Sequence, residues 1–182
     1  MSGYVTQNDL LLKNLTKFYS ENDRLDMMLR VINGESKISL RIVDWFVTNY
    51  SKEKYVVYTL DNGTRLKVYD SYKLNLRAYS KKRFDPFCRW DRITIPYKNE
   101  SHIQTTIGQL NFFKWAIENN ILEYINDNYK DIEKDMNNRN STSRKNQSSM
   151  CDKKTRKKRE ELSISAVKSI KKETIDIIVK FD

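Results

Sequence analysis

The fold of this chain is decided by residues 40–95, LRIVDWFVTNYSKEKYVVYTLDNGTRLKVYDSYKLNLRAYSKKRFDPFCRWDRITI. Most of the large side chains lie in this stretch, with basic residues between them. At its centre, two runs rich in β-branched and aromatic residues, YVVYTL (55–60) and RLKVY (65–69), flank the turn DNGT (61–64). Because Asn and Gly tolerate the positive φ angles of tight hairpin turns, the pattern predicts a β-hairpin over 55–69.

Helical patterns precede the hairpin. Between residues 8 and 32, apolar side chains recur at three- and four-residue intervals, which predicts two helices. A further helix, capped by Ser36 or Ser39, is predicted to reach Tyr50. Trp45 lies beside the apolar stripe of that helix, so we expect it to pack at the margin of the core; an exposed stacking platform is the alternative.

The residues after the hairpin alternate between helix and strand patterns. A short helix, capped by Asp70 or Ser71, is predicted to run to about Ser80. The sequence RITI (92–95) is typical of a strand, and residues 97–103 are predicted to form a loop.

The strongest helical pattern begins at Thr105 or Thr106. Gln109 stands three residues after Thr106, which is the spacing of a capping box. The pair Asn119-Asn120 could divide this helix into two. Beyond Tyr129 the pattern becomes polar, and the helix is expected to fray.

The C-terminal quarter changes character. Residues 137–160, NNRNSTSRKNQSSMCDKKTRKKRE, contain a single apolar side chain, Met150, and cannot bury enough surface to offset chain entropy. They are predicted to be a disordered basic loop or arm. Residues 161–182 are predicted to return to the domain, with TIDIIVKF (174–181) as a strand.

These elements predict three parts: an α+β globular domain (1–136), the basic arm (137–160) and the returning C-terminal segment (161–182). In the predicted fold, helices pack against one small, mainly antiparallel sheet. Its strands are the hairpin 55–69, residues 92–95 and residues 174–181.

The charge of the chain is unevenly distributed. The formal net charge is +10. Residues 138–159 carry nine Lys/Arg and one acidic residue, and residues 72–92 carry seven Lys/Arg and two acidic residues, so the rest is slightly acidic. This concentration favours a polyanionic partner, with nucleic acid as the leading candidate.

The first basic segment, 72–92, alternates cations with aromatic rings. Single-stranded nucleic acid binds to such mixtures, because cations neutralise its phosphates and flat rings stack on its bases. Tyr79 and Trp90 are the predicted stacking residues. The alternative is that the rings belong to the core and the cations form a solvated rim. The predicted cationic contacts are Lys73, Arg77, Lys81, Lys82, Arg83, Arg89 and Arg92.

The second basic segment is a polybasic run in the predicted arm. Such runs bind phosphate backbones without sequence preference, or act as nuclear-import signals, or are solvated loops with no role. The predicted contacts are Lys153, Lys154, Arg156, Lys157, Lys158 and Arg159.

Catalytic and cofactor sites are not predicted. The cysteines, Cys88 and Cys151, are far apart, which favours a reducing compartment over a disulfide framework. Because the chain has a single histidine, His102, a zinc site made of Cys and His ligands is not expected. There is no Gly-rich phosphate loop, and no apolar run is long enough to span a membrane. We therefore expect no metal, no cofactor and no enzyme activity, with a metal-dependent nuclease using Asp85 or Asp91 as a weak alternative.

Three segments carry a resemblance: SLRIVDWFVTNYSK (39–52), YDSYKLNLRAYSKKRFDPFCRW (69–90) and TTIGQLNFFKWAIENNILEYI (105–125). They resemble a conserved family of large nucleocytoplasmic DNA viruses of the mimivirus type. The abundance of Asn, Lys and Ile is typical of an AT-rich genome. The resemblance implies a virus-encoded protein of the host cytoplasm (the viral factory) or of the virion, and it transfers no site residues.

The sequence thus predicts a non-catalytic nucleic-acid-binding protein. The alternative is a structural or assembly adaptor of the virion whose basic arm binds an acidic viral protein. The choice between DNA and RNA, the strandedness and the oligomeric state stay open.

Overall fold

The computed structural model describes the backbone of residues 6–21, 23–97, 101–148 and 171–174. Side chains are described in 6–21, 23–97 and 102–139. The helices are α1 (Gln7–Ser20), α2 (Arg24–Ile32), α3 (Leu40–Trp45), α4 (Ser51–Glu53), α5 (Val68–Arg83), α6 (Ile107–Glu118), α7 (Ile121–Asp127) and α8 (Tyr129–Ser148). The strands are β1 (Val57–Thr59), β2 (Arg65–Lys67), β3 (Arg92–Pro96), β4 (Ser101–Thr106) and β5 (Lys171–Thr174).

The fold is α+β, with small antiparallel sheets packed by helices, as predicted. The strands form two sheets instead of one, since β1-β2 stands apart from β3-β4-β5. None of the helices that the described residues form is long and apolar enough to cross a membrane.

The predicted hairpin is confirmed. Gly63 adopts φ +80°, and the Leu60 amide donates to the Thr64 carbonyl at 2.9 Å. The second strand ends early, because α5 begins directly at Val68. The expected helix caps at Asp70 and Ser71 are therefore wrong, and no side chain caps this helix.

The two helices predicted over 8–32 are confirmed as α1 and α2. Ser39 caps α3, where its Oγ accepts from the Ile42 amide at 3.4 Å. The helical path does not stop at Tyr50: a π-helical turn, Phe46–Tyr50, leads into α4.

The three-stranded sheet contains a strand that was not predicted. Residues 97–103 were expected to be a loop, yet β4 begins at Ser101 and pairs along β3, from Arg92 with Thr106 to Pro96 with His102. Alternate residues of β4, Ile103 and Thr105, are fully buried. With one aliphatic residue among polar ones, this period-two pattern is weak in the sequence.

The other edge of that sheet is β5. It pairs with β4, from Ser101 with Thr174 to Gln104 with Lys171. The chain therefore returns to the sheet at 171–174, which overlaps the predicted strand 174–181 at Thr174. The rest of the predicted strand 174–181 lies outside the described residues.

The C-terminal helices correct a second expectation. Asn120 adopts φ +52° and separates α6 from α7, as the Asn pair indicated. The helix does not fray beyond Tyr129, because α8 continues to Ser148. Its first turns bury Ile132 and Met136 in the core.

The long α8 also bears on the predicted arm. Residues up to Ser148 are helical, so the expectation of disorder from residue 137 is wrong for that part. The arm beyond Ser148 lies outside the described residues, and the three-part division of the chain stays a prediction.

The core is centred on α6, which is surrounded by other elements along most of its length. It contacts α1, α5 and α7. Its buried side chains include Leu110, Phe112, Phe113 and Ala116. Phe84, which follows α5, is also fully buried and lies with its ring centroid 5.5 Å from that of Phe112. The segment after Phe84 is thereby fixed to the centre of the molecule.

Candidate nucleic-acid interface

The basic end of α5 is reoriented by a break in the helix. Ser80 has φ +60° and ψ 163°, a combination that side-chain-bearing residues rarely adopt. The three cations that follow it, Lys81, Lys82 and Arg83, therefore do not continue the regular helical face. We define residues 80–92 as the basic segment.

The loop within the basic segment is held by α6. Besides the Phe84 ring, Cys88 is buried and packs against Gly108, where an added Cβ would lie only 2.8 Å from the Cys88 Cβ. Polar side chains of α6 hold the backbone: Asn111 donates to the Arg83 carbonyl at 3.0 Å. Gln109 donates to the carbonyl of residue 86 at 3.2 Å. The loop is thus a fixed part of the structure, which favours precise presentation of its side chains.

Trp90 is presented on this loop with its indole in solvent. It is 74% exposed, more than any other large apolar side chain among those described. It borders a pocket of about 750 Å³, which we call the Trp90 pocket. The pocket is lined by Lys81, Lys82, Asp85, Phe87, Cys88, Arg89, Trp90 and Asp91.

The pocket combines cations with carboxylates. Lys82 Nζ lies 2.8 Å from Asp91 Oδ2, and Lys81 Nζ lies 3.8 Å from Asp85 Oδ2. Arg89 is exposed and forms no ion pair with any described residue. The net formal charge of the residues that line the pocket is therefore +1. Part of the positive charge counted in the sequence is thus neutralised locally.

A half-buried carboxylate, Asp44, lies close enough to Asp85 and Lys81 of the pocket lining to interact with their charges. Burial, together with the neighbouring Asp85 carboxylate, raises the pKa of Asp44 to about 6 from 3.8, while Lys81 acts in the opposite sense. Burial also raises the pKa of Asp85, whose Oδ1 accepts from the Phe87 amide at 2.8 Å. Among the described residues, no group of three or more His, Cys, Asp or Glu side chains could hold a metal ion.

Tyr79 is not exposed in the way we expected. Its ring is half-buried and stacks on Phe84, with centroids 6.2 Å apart and an interplanar angle of 21°. Tyr79 therefore follows the alternative interpretation, in which the rings of this segment belong to the core. The same holds for Tyr72, which also contacts Phe84. Of the two predicted stacking residues, only Trp90 offers a free ring.

The other predicted residues are spread around the pocket. Arg83 points away and donates to Gln7 Oε1 at 2.9 Å. Arg92 is exposed at the start of β3, while Lys73 and Arg77 lie on the exposed side of α5. The polybasic residues lie outside the described part of the chain: Lys153, Lys154, Arg156, Lys157, Lys158 and Arg159.

Sequence reasoning missed the α6 side chains that hold the loop. Gln109 and Asn111 are polar yet buried, at 0% and 5% exposure. A signal was present, because both stand within an apolar helix, IGQLNFFKWAI (107–117), where a buried polar group needs a specific partner.

Trp45, for which both a core and a surface role were open, packs at the core margin. Its Nε1 donates to Asp135 Oδ2 at 2.9 Å. The tryptophan therefore joins α3 to α8 and is not a stacking platform.

Comparison with known proteins places this chain among viral relatives. The model of a family of unknown function (DUF7197) matches residues 4–146. The uncharacterised protein L507 of Acanthamoeba polyphaga mimivirus is 44% identical over 135 residues, which is 69% of this chain and 52% of that protein. The chain thus spans about half the length of this relative. No solved structure matches this chain. The resemblance to an uncharacterised family of mimivirus-type viruses is confirmed, and a viral origin is supported.

Proposed function

Since this chain belongs to the DUF7197 family of unknown function, its role has to be inferred from its own surface, and we propose that it is a non-catalytic nucleic-acid-binding protein encoded by a virus. The observation that carries the proposal is the position of Trp90. Its exposed indole stands on a fixed loop beside a large pocket that contains three cations. Proteins that bind single-stranded nucleic acid combine exposed aromatic rings with cations in this way.

A single strand would use the pocket in two ways. A base stacks on Trp90, which gives affinity without sequence preference because every base has a flat face. The adjacent phosphates contact Arg89 first, since its guanidinium has no competing carboxylate among the described residues. Lys81 and Lys82 contribute when the phosphate displaces Asp85 or Asp91 from them.

The polybasic residues 153–159 would add a second set of phosphate contacts. These contacts depend on charge alone, so they strengthen binding at low salt and weaken steeply as salt is added. We place the protein in the host cytoplasm, at the viral factory, or in the virion; nuclear import through the polybasic run is the less favoured alternative.

A second candidate function is a virion or assembly adaptor that binds an acidic viral protein. The mixture of carboxylates and cations in the Trp90 pocket favours it, because protein interfaces pair charges of both signs. Such an adaptor would hold its acidic partner through the basic arm as well as the Trp90 pocket, so deletion of residues 149–160 would weaken that protein complex, and the protein would show no affinity for nucleic acid.

The proposal is tested by binding of labelled oligothymidylate and of a duplex of equal length, measured by fluorescence anisotropy across a salt series. We expect binding of the single strand near 50 mM salt, with log K falling linearly with log salt by about 0.7 for each phosphate neutralised. Trp90→Ala should weaken that binding about tenfold or more, within the usual range for one stacked base.

The matched control is Leu10→Ala, which removes another exposed apolar side chain, 55% exposed, from α1. It should leave affinity unchanged. Absence of binding at low salt, or binding that Trp90→Ala and Leu10→Ala affect equally, would contradict the proposal.

A further inference from the structure

A second group of rings and cations lies at the opposite end of α5. Tyr55 is 66% exposed and adopts φ +52°, so its ring projects from the turn between α4 and β1. The Lys67 ammonium lies 4.4 Å from the centre of that ring. We define the Tyr55 cluster as Tyr55 and Lys67 together with Tyr69, Lys52 and Lys73.

Tyr69 extends the cluster onto the first turn of α5. Two ammonium groups from different elements approach its ring, Lys52 at 5.7 Å and Lys73 at 6.0 Å. Acidic neighbours are present, because Asp70 pairs with Lys67 at 2.6 Å and Glu53 pairs with Arg139. Lys52 and Lys73 form no ion pair with any described residue, and both are exposed.

The exposed side of α5 joins this cluster to the Trp90 pocket. Lys73 and Arg77 stand four residues apart and so lie on one face of the helix, with Leu74, 65% exposed, beside them. The next cation along the chain is Lys81, at the pocket itself. From Tyr69 to Tyr79, the last residue before the break at Ser80, the helix rises about 15 Å.

We infer that α5 is a binding track for one extended single strand of nucleic acid, with Trp90 stacking a base at one end and the Tyr55 cluster stacking a base at the other. Lys73 and Arg77 contact the phosphates between them. Both ends combine rings with cations. The helix face that connects them carries Lys73 and Arg77, and the acidic residue of α5, Asp70, stands at the start of the helix. A single strand fits this distribution because it is flexible enough to follow a helix and exposes its bases.

This inference rests on the proposed function, and the experiment therefore compares two lengths of oligothymidylate. A dinucleotide is short enough to occupy one end, whereas a strand of about 15 nucleotides can follow the whole helix. The variants are Tyr55→Asn, which removes the ring while tolerating the left-handed backbone, and the double variant Lys73→Ala/Arg77→Ala.

We expect both variants to weaken binding of the long strand about tenfold at low salt and to leave binding of the short strand at the Trp90 pocket unchanged. The double variant should also lower the slope of log K against log salt by about 1.4, because two phosphate contacts are lost. Trp90→Ala should weaken binding of both strands.

The matched control is Lys130→Ala/Lys134→Ala, which removes two exposed cations at the same spacing from α8. Circular dichroism and thermal unfolding verify that each variant is folded. If the control weakens the long strand as much as Lys73→Ala/Arg77→Ala does, or if neither Tyr55→Asn nor Lys73→Ala/Arg77→Ala has an effect while Trp90→Ala still does, the track is wrong and the Trp90 site stands alone. If the wild-type protein binds neither strand, the proposed function fails, and the track fails with it.

Discussion

Lys82 and Asp91 form an ion pair across the edge of the Trp90 pocket, with Nζ and Oδ2 separated by 2.8 Å. Both side chains are 62% exposed, so the pair contributes little to folding, about 1 kcal/mol or less. Asp91 also adopts φ +50°, an uncommon conformation for a residue other than glycine. The pair therefore matters mainly for the charge that the pocket offers to an anion.

Asp91→Asn should increase affinity for single-stranded nucleic acid. The substitution frees Lys82 and removes a carboxylate that repels phosphate; one such repulsion in water is worth about 1 kcal/mol, or about fivefold in affinity at low salt. Anisotropy titrations with oligothymidylate provide the measurement. Asp127→Asn is the charge-matched control, because Asp127 is exposed on α7. Equal gains for the two variants would mean that the pocket has no special role.

Ser80→Gly should stabilise the protein by about 1 kcal/mol. The backbone at Ser80, φ +60° and ψ 163°, lies in a region that only glycine adopts without strain, although glycine costs more entropy on folding. Ser80→Ala keeps the strain and should give no gain. Urea denaturation of the wild type, Ser80→Gly and Ser80→Ala measures their free energies of unfolding. Equal stabilities would show that the break at Ser80 carries no strain.

Asp44→Asn should stabilise the protein at neutral pH and not in acid. The pKa of Asp44 is raised in the folded state to about 6 from 3.8, so its proton favours the folded state fully below pH 4. That contribution is lost as pH rises through about 6, and at pH 8 the partly desolvated charge costs about 2 to 3 kcal/mol. The asparagine variant has no such cost.

Urea denaturation between pH 4 and pH 8 measures the difference between wild type and Asp44→Asn. The expected gain of the variant grows over that interval and then levels off. Asp127→Asn serves as an exposed control whose stability should follow wild type. A constant difference across the pH range would contradict the raised pKa.

The parts of the fold that could be predicted are those with local causes. The Asn62-Gly63 turn and the Thr106 cap, whose Oγ1 accepts from the Gln109 amide at 3.2 Å, depend on residues within a few positions. The strand β4 and the helix α8 could not be predicted, because distant partners stabilise them. β4 needs β3 and β5 on its two sides, and α8 needs α3 and the π-helical turn, against which it packs.

The candidate site shows the same division. Trp90 and Tyr79 both stand among cations in the sequence, and nothing local decides which ring is exposed. The outcome depends on Phe84, which is fully buried and on which the Tyr79 ring stacks, so that Tyr79 is partly covered. The neutralisation of Lys82 by Asp91 depends likewise on the break at Ser80, so the count of charges overestimated the free positive charge of the pocket.

Asp135→Ala should destabilise the protein by about 1 to 2 kcal/mol, because α8 is fixed to the domain through this carboxylate. Asp135 is 18% exposed; its Oδ2 accepts from Trp45 Nε1 and its Oδ1 pairs with Arg139 at 3.3 Å. Asp135→Asn keeps an acceptor for the indole and should lose less. Asp131→Ala, an exposed carboxylate one turn earlier, is the control. Urea denaturation followed by tryptophan fluorescence gives the stabilities. Equal losses at the two positions would mean that α8 is not fixed by Trp45, and that residues beyond Tyr129 behave as the polar sequence first indicated.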